Sequence, residues 1–237
     1  MLMRTHLILL SLFALLNTSC EAQSPRPAPN TQPPARFVPG APDPRPSKDA
    51  VAALTRNFYF IFDGSGSMGD PCSAGGTKKI VTAKQAVIDF ISVVPTNVNL
   101  GLVVFDGRGV NEVVALGPNN REQFLNAIRQ VREGSGTPLN ASIKFGIDRL
   151  ADQREKQLNY GEFRLITVTD GEAGDGSVSV CGQYAITRKI PIYTIGLCLG
   201  KQHELRKYSL SYQDANNAAE LKKALEETVG ESDSLGN

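Results

Sequence analysis

The clearest chemical signal in the sequence comes from Asp63, Ser65 and Ser67, which are separated by single glycines. They follow the apolar run 58–62, which has the length and composition of a buried strand. One carboxylate and two hydroxyls at alternate positions place three oxygens on one side of a loop, and the glycines let the backbone turn tightly. Hard cations such as Mg²⁺ prefer oxygen ligands. We therefore expect this loop to bind a divalent cation.

Two later segments supply further oxygen atoms. Thr137 stands between Gly136 and Pro138, ahead of a helical pattern, which is also typical of a helix cap. Asp170 follows the apolar run 163–169 and precedes a glycine, which on its own indicates a turn. Each segment is weak evidence alone, so their value depends on whether the fold brings them to Asp63.

Strand and helix patterns alternate from residue 56 onward. Strands are predicted at 57–62, 98–105, 112–116, 163–169, 191–197 and 211–214, and helices at 79–94, 119–131, 138–151, 179–189, 205–210 and 218–229. This alternation predicts an α/β fold, with a doubly wound, mostly parallel central sheet and helices on both faces. The second and third strands read as a hairpin, which supplies one antiparallel edge strand.

Ligand sites in such sheets form at the carboxyl ends of the strands. Asp63, Asp106, Asp170 and Cys198 all fall just past predicted strand ends, so they should share one edge. Four loop acids near this edge either tune the field around a metal, bind a second ion or are simply solvated: Asp70, Asp106, Glu172 and Asp175.

Taken together, the three motifs resemble a von Willebrand factor type A domain over about residues 56–230. The family has an Asp-x-Ser-x-Ser motif after its first strand, a threonine in a loop opening a middle helix, and an aspartate after its fourth strand. In this sequence those residues are Asp63, Ser65, Ser67, Thr137 and Asp170. The resemblance implies a metal-ion-dependent adhesion site that binds Mg²⁺ or Mn²⁺.

The resemblance also implies a role for each residue. Ser65 and Ser67 bind the ion directly, and Thr137 binds it directly or through water. Asp63 and Asp170 hold waters and orient the hydroxyls. Neutral ligands leave much of the ion's charge uncompensated, so an Asp or Glu carboxylate of a partner protein completes its coordination. The expected activity is therefore protein binding, and we expect no catalysis.

Two enzyme readings compete with this one. Residues 64–69 fit the Gly-x-Gly-x-x-Gly dinucleotide motif, but a polar loop with Pro71 follows where a helix should begin. A serine hydrolase needs Gly-x-Ser-x-Gly, which neither serine satisfies. The single histidine after the leader, His203, is expected to be a solvated loop residue.

The N-terminal region predicts export. Residues 1–20 form a signal peptide, with Arg4 before a short apolar core, and Cys20 is the expected lipidation site of a bacterial lipoprotein. Simple secretion is the alternative, since Asn17 stands where such signals usually have leucine. Residues 21–55 are a proline-rich tether and 231–237 a frayed tail. We expect a membrane-anchored protein of the cell envelope.

The cysteines leave their pairing open. With Cys20 lipidated, three remain, which allows one disulfide and one free thiol among Cys72, Cys181 and Cys198. Export permits a disulfide, and Cys181 is favoured as one partner.

Charge bears on the partner. The chain has 25 basic and 24 acidic residues, for a net charge of +1, and no basic stripe is evident, so nucleic acid is not the expected partner. The first interpretation is a metal-dependent module that captures a protein carboxylate. The alternatives are a structural or assembly component of the envelope in which the metal is incidental, and, third, a metal-assisted hydrolase, which lacks a candidate general base.

Overall fold

A computed structural model describes residues 52–73, 76–199 and 203–230, with side chains to residue 228. The predicted signal peptide, Cys20, the tail and all but the last four residues of the tether lie outside these ranges. Six strands form one sheet: β1 Arg56–Asp63, β2 Asn99–Asp106, β3 Gly109–Gly117, β4 Glu162–Thr169, β5 Ile192–Leu197 and β6 Ser211–Ala215. The helices are α1 Lys79–Val93, α2 Arg121–Gln130, α3 Leu139–Lys156, α4 Ser179–Arg188 and α5 Ala218–Gly230, with 3₁₀ turns at Gly66–Gly69 and Glu204–Lys207.

The sheet is mixed and mostly parallel, in the order β3-β2-β1-β4-β5-β6. β1 lies in the middle and pairs in parallel with both β2 and β4, so Phe60 stands between Leu102 and Ile166. Only β3, at one edge, is antiparallel among the described strands. The doubly wound fold with one antiparallel edge is therefore confirmed.

The alternation of β1 explains the layers. Phe58, Phe60 and Phe62 point into one core, which α1, α2 and α5 cover. Tyr59 and Ile61 point into the other core, which α3 and α4 cover. Because both faces are buried, β1 is apolar from Phe58 to Phe62, as is typical of parallel sheets.

Most predicted bounds agree with the structure within two or three residues. The turn after β2 is shorter than predicted, since Asp106 pairs with Gly109 and leaves only two residues between the strands. Helix α3 runs five residues past the predicted Ala151, because its last residues are polar helix formers with no apolar pattern to signal them. The predicted helix 205–210 is the single 3₁₀ turn Glu204–Lys207.

Candidate functional site

Asp63 is the anchor of the first motif. It ends β1, is fully buried, and accepts a hydrogen bond at Oδ1 from the Ser65 backbone N–H at 2.8 Å. At Oδ2 it accepts a bond from the Thr169 hydroxyl at 2.6 Å. Burial raises the pKa of Asp63 to about 6, although these hydrogen bonds act in the opposite direction. Both oxygens therefore hold the motif in shape.

The two serine hydroxyls lie side by side. The Oγ atoms of Ser65 and Ser67 are 3.2 Å apart, and Ser65 is buried whereas Ser67 is exposed. The hydroxyl of Ser67 donates to Oδ1 of Asp170 at 2.8 Å. Residues 103 positions apart in the chain thus meet because β1 and β4 are neighbours in the sheet. The structure brings Asp63, Ser65, Ser67 and Asp170 into one hydrogen-bonded network.

A lysine side chain, that of Lys79, also belongs to this network. The ammonium of Lys79, the first residue of α1, lies 2.9 Å from Oδ2 of Asp170 and 3.5 Å from the backbone oxygen of Ser67. The side chain of Lys79 is only 13% exposed and that of Asp170 is fully buried. Sequence reasoning missed Lys79, because its only signal is a lysine at a helix start, where the helix dipole disfavours a positive charge.

Thr137 is placed by the backbone of its loop. Gly134 donates to the carbonyl of Gly64, and Gly66 donates to the carbonyl of Ser135. The Thr137 carbonyl accepts from Gly174 at 2.8 Å, in the loop that follows Asp170. The Thr137 segment therefore bridges the other two, and its side chain is half-buried.

Thr137 does not cap α3, contrary to the second role that its position suggested. The helix begins after Pro138, and no side chain of that segment caps it. Instead, Asp175 accepts from the backbone N–H groups of Asn140 and Ala141, at 3.0 and 2.9 Å. A carboxylate at a helix N-terminus satisfies free donors and complements the dipole. The cap of α3 therefore comes from the loop after β4, and not from the segment that precedes the helix.

Asp106 and Asp175, both among the four loop acids, have structural partners. Asp175 caps α3, as described, and Asp106 forms an ion pair with Arg108 at 2.5 Å. Burial opposes the charge on Asp106, but hydrogen bonds donated by Arg108 outweigh it and lower the pKa. Asp106 is therefore buried and paired, whereas Asp175 is exposed and accepts backbone hydrogen bonds at both carboxylate oxygens.

The disulfide links Cys72 to Cys198, with Cα atoms 5.4 Å apart, so the expectation that Cys181 is a partner was wrong. Cys181 lies inside α4 and faces the core beneath the sheet, where its thiol donates to the Val178 carbonyl. The bridge instead ties the loop after the Gly66–Gly69 turn to the end of β5. It therefore supports the rim of the candidate site.

His203 is buried, at 2% exposure, so the expectation of a solvated histidine was also wrong. Its Nδ1 accepts from the Leu205 backbone N–H at 3.0 Å, so Nε2 carries the proton and donates to the Gly171 carbonyl at 2.9 Å. The ring fixes the loop after Asp170, and neither described bond reaches a serine. No sequence pattern around His203 signals this role.

The donor set fits a hard divalent cation. Its atoms are hydroxyl and carboxylate oxygens, and a positive group, the Lys79 ammonium, already lies against them. Within the described ranges, no three His, Cys, Asp or Glu side chains cluster as metal ligands, so a site here depends on hydroxyls. Among the helices of the described residues, none has the length and apolar character needed to span a bilayer.

Comparison with known proteins assigns most of the described residues to one family. The profile described as von Willebrand factor type A domain matches residues 57–230. The sequence is 26% identical over 147 residues to the uncharacterized protein sll0103 of Synechocystis, covering 60% of this chain and 32% of that protein. It is 29% identical over 143 residues to the uncharacterized protein YwmD of Bacillus subtilis, covering 54% and 60%. The chain thus spans less than two thirds of these relatives.

Solved structures share the fold at low identity. An aerotolerance-related membrane protein from Bacteroides fragilis superposes with a TM-score of 0.58 at 13% identity, over 73% of this chain and 98% of that one. The pilus adhesin SpaC from Lactobacillus rhamnosus GG gives 0.58 at 15%, over 75% and 30%. The manganese-loaded TRAP protein of Plasmodium vivax gives 0.53 at 20%, over 73% and 72%.

Proposed function

The chain belongs to the von Willebrand factor type A family, and on that premise we propose that it is an exported protein-binding module that takes a partner's carboxylate through a bound Mg²⁺ or Mn²⁺. The observation that carries the proposal is the network joining Asp63, Ser65, Ser67 and Asp170 at the carboxyl edge of the sheet. Thr137 belongs to the same site through its loop.

In this proposal the hydroxyls of Ser65, Ser67 and Thr137 hold the ion, while Asp63 and Asp170 orient them. Asp63 supports this division, because its two oxygens already bond to the Ser65 N–H and to Thr169. When bound, the ion supplies a positive charge that neutral ligands leave largely uncompensated. An Asp or Glu side chain of a partner protein is the complementary group.

The structural neighbours are compatible with this function, although the proposal rests on the geometry of the site. One is a manganese-loaded protein and another is a pilus adhesin. A membrane protein and an adhesin among them also fit an exported protein. We propose that Cys20 anchors the chain to the bacterial envelope and that the proline-rich segment separates the domain from the membrane.

A second candidate is a structural or assembly component of the envelope that binds partners without metal. The observation favouring it is the Lys79–Asp170 ion pair, which neutralises the buried carboxylate without any added ion. A catalytic role is not proposed, because the described bonds of Ser67 run to Ser65 and Asp170 and none joins a serine to an imidazole.

Capture from envelope extract separates the two candidates. The full chain, Ser67→Ala and a control, Ser92→Ala, are immobilised and exposed to extract with Mg²⁺ or with chelator. Ser92 is exposed at the far end of α1, and among the described residues its hydroxyl donates to the Asp89 carbonyl. If capture depends on the metal, wild type and Ser92→Ala should bind the same protein, and chelator should release it from both. Ser67→Ala should fail to bind that protein. Capture that survives both chelator and Ser67→Ala would favour the structural component.

A further inference from the structure

A basic cleft opens beside the candidate site, and it is lined by Lys84, Arg108, Arg129, Gln130, Val131 and Arg132. Its volume is about 610 Å³, which is enough for several side chains. Lys84 comes from α1, Arg129 and Gln130 from α2, and Arg108 from the turn between β2 and β3. Four positive groups thus converge on one concave surface of a chain whose net charge is only +1.

Most of this positive charge is not compensated. Among the described residues, Lys84, Arg129 and Arg132 have no carboxylate within ion-pair distance: Lys84 donates to the Val131 carbonyl and Arg129 to the Asn126 amide oxygen. Burial lowers the pKa of Lys84; the charge of Glu133 raises it, and the charge of Arg132 lowers it to a smaller extent. Positive groups on one concave surface raise the local concentration of anions, so the cleft is complementary to a negatively charged ligand.

Two acids lie close to the residues that line the cleft, and both already have partners. Asp106 is paired with Arg108, and its Oδ2 also accepts from the Arg132 backbone N–H at 3.4 Å. Glu133, next in the chain, pairs with Lys78 at 2.5 Å. Neither acid therefore neutralises Arg129 or the side chain of Arg132. The cleft keeps a net positive charge.

Two segments next to the cleft are hydrogen-bonded to the loop that carries Ser65 and Ser67. The Gly64 N–H donates to the Phe105 carbonyl at 2.8 Å, and the Gly64 carbonyl accepts from Gly134 at 2.9 Å. The two connections that bear Arg108 and Arg132 are therefore bonded directly to the metal-binding motif. These contacts place the cleft on segments adjacent to the loop where a partner's carboxylate would bind.

We propose that the partner of this domain is an acidic protein segment, with one carboxylate at the metal and the flanking carboxylates in the basic cleft. This inference rests on the proposed function, since it names the chemistry of the partner for the same site. Guanidinium groups suit this role because they bind carboxylates through two parallel hydrogen bonds. The cleft thus selects acidic segments over single carboxylates.

The test uses the full chain and two fluorescent peptides with blocked ends: octaglutamate, and a glycine-serine peptide with one central glutamate. Wild type is compared with the double variant Arg129→Gln and Arg132→Gln. The control, Lys144→Gln with Lys156→Gln, removes the same charge from exposed positions on α3, across the sheet. With Mg²⁺, the double variant should bind octaglutamate about two- to thirtyfold more weakly, the effect of losing two exposed charge pairs. The control variant should bind it as wild type does.

The single-glutamate peptide should bind more weakly than octaglutamate, with the same affinity for all three proteins. In 0.5 M salt, the preference for octaglutamate should disappear. Equal octaglutamate binding by wild type and double variant, with Mg²⁺ still required, would overturn the inference and leave the proposed function intact. Octaglutamate binding that needs the arginines but not Mg²⁺ would support the cleft and contradict the metal proposal. Equally tight, arginine-dependent binding of oligothymidylate or phosphatidylglycerol vesicles would overturn the inference in favour of a general polyanion surface.

Discussion

Replacing Lys79 by methionine removes the cation that neutralises Asp170 but keeps a long side chain with good helix propensity. The side chain of Asp170 is fully buried and that of Lys79 is 13% exposed, so we treat the two as a mostly buried ion pair. Removing one member of a buried pair costs about 3–5 kcal/mol, and the partial exposure of Lys79 places the expected loss near the low end, about 3 kcal/mol. We expect this loss in the metal-free protein.

The same substitution should tighten metal binding. In wild type, a divalent ion that binds near Asp170 must either displace the Lys79 ammonium or bind despite repulsion from this positive charge. In Lys79→Met the ion instead neutralises a carboxylate that has lost its partner. By thermodynamic linkage, part or all of the stability that Lys79→Met loses reappears as tighter metal binding. A coupling of about 1–3 kcal/mol corresponds to a gain in Mg²⁺ affinity of about 5- to 150-fold.

Denaturant unfolding with chelator measures the first effect, and calorimetric titration of Mg²⁺ measures the second. Lys78→Met is the matched control, because Lys78 is the adjacent residue at the same helix start and its pair with Glu133 is exposed. The control should change the free energy of unfolding by no more than about 1 kcal/mol and leave metal affinity unchanged. Unchanged or weaker Mg²⁺ binding in Lys79→Met would refute the competition between the lysine and the ion.

Three further predictions follow from the rim and packing of the site. Reducing the Cys72–Cys198 bridge, which spans 126 residues, should lower the free energy of unfolding by about 2–5 kcal/mol in denaturant titrations, and an unchanged midpoint would contradict it. Burial raises the pKa of Cys181 to about 12, so below pH 10 the native thiol should resist iodoacetamide while the unfolded chain reacts; equal labelling by peptide mapping would argue against a buried thiol. Gly64→Ala places a Cβ 2.9–3.0 Å from the Asp106 Cβ, the Phe105 carbonyl oxygen and a Val131 methyl group, and should cost about 1–3 kcal/mol and weaken Mg²⁺ binding. Gly66→Ala, whose nearest atom lies at 3.7 Å, should be tolerated; equal behaviour of the two variants in unfolding and calorimetry would contradict this packing.

The fold could be predicted from the sequence because its signals are local. The β1 run is apolar throughout, and the face of α1 repeats Ile80, Ala83, Val87 and Ile91 at helical spacing, all of them buried. Asp63 and Asp170 could be assigned to one edge because both end parallel strands. Once those strands are neighbours, the two motifs must meet.

The remaining features depend on contacts between distant segments, which no local pattern reports. Lys79 reaches Asp170 across 91 positions, and Asp175 caps a helix that begins 36 residues earlier. The exposure predicted for His203 and the pairing predicted for Cys181 were wrong for the same reason, because the packing of distant segments decides which side chains are buried and which cysteines meet. Their sequence neighbourhoods are polar or mixed, so neither residue could be identified as buried from sequence.

Calorimetric titration of the purified full chain with Mg²⁺ or Mn²⁺ tests the central claim most directly. The variants are Asp63→Ala and Ser67→Ala in the site, with Ser92→Ala as the hydroxyl control outside it. We predict one ion bound per chain in wild type and in Ser92→Ala, and binding that is lost or much weakened in the two site variants. Absence of binding in wild type, or equal binding in all four proteins, would contradict the assignment of this loop as a metal-dependent binding site.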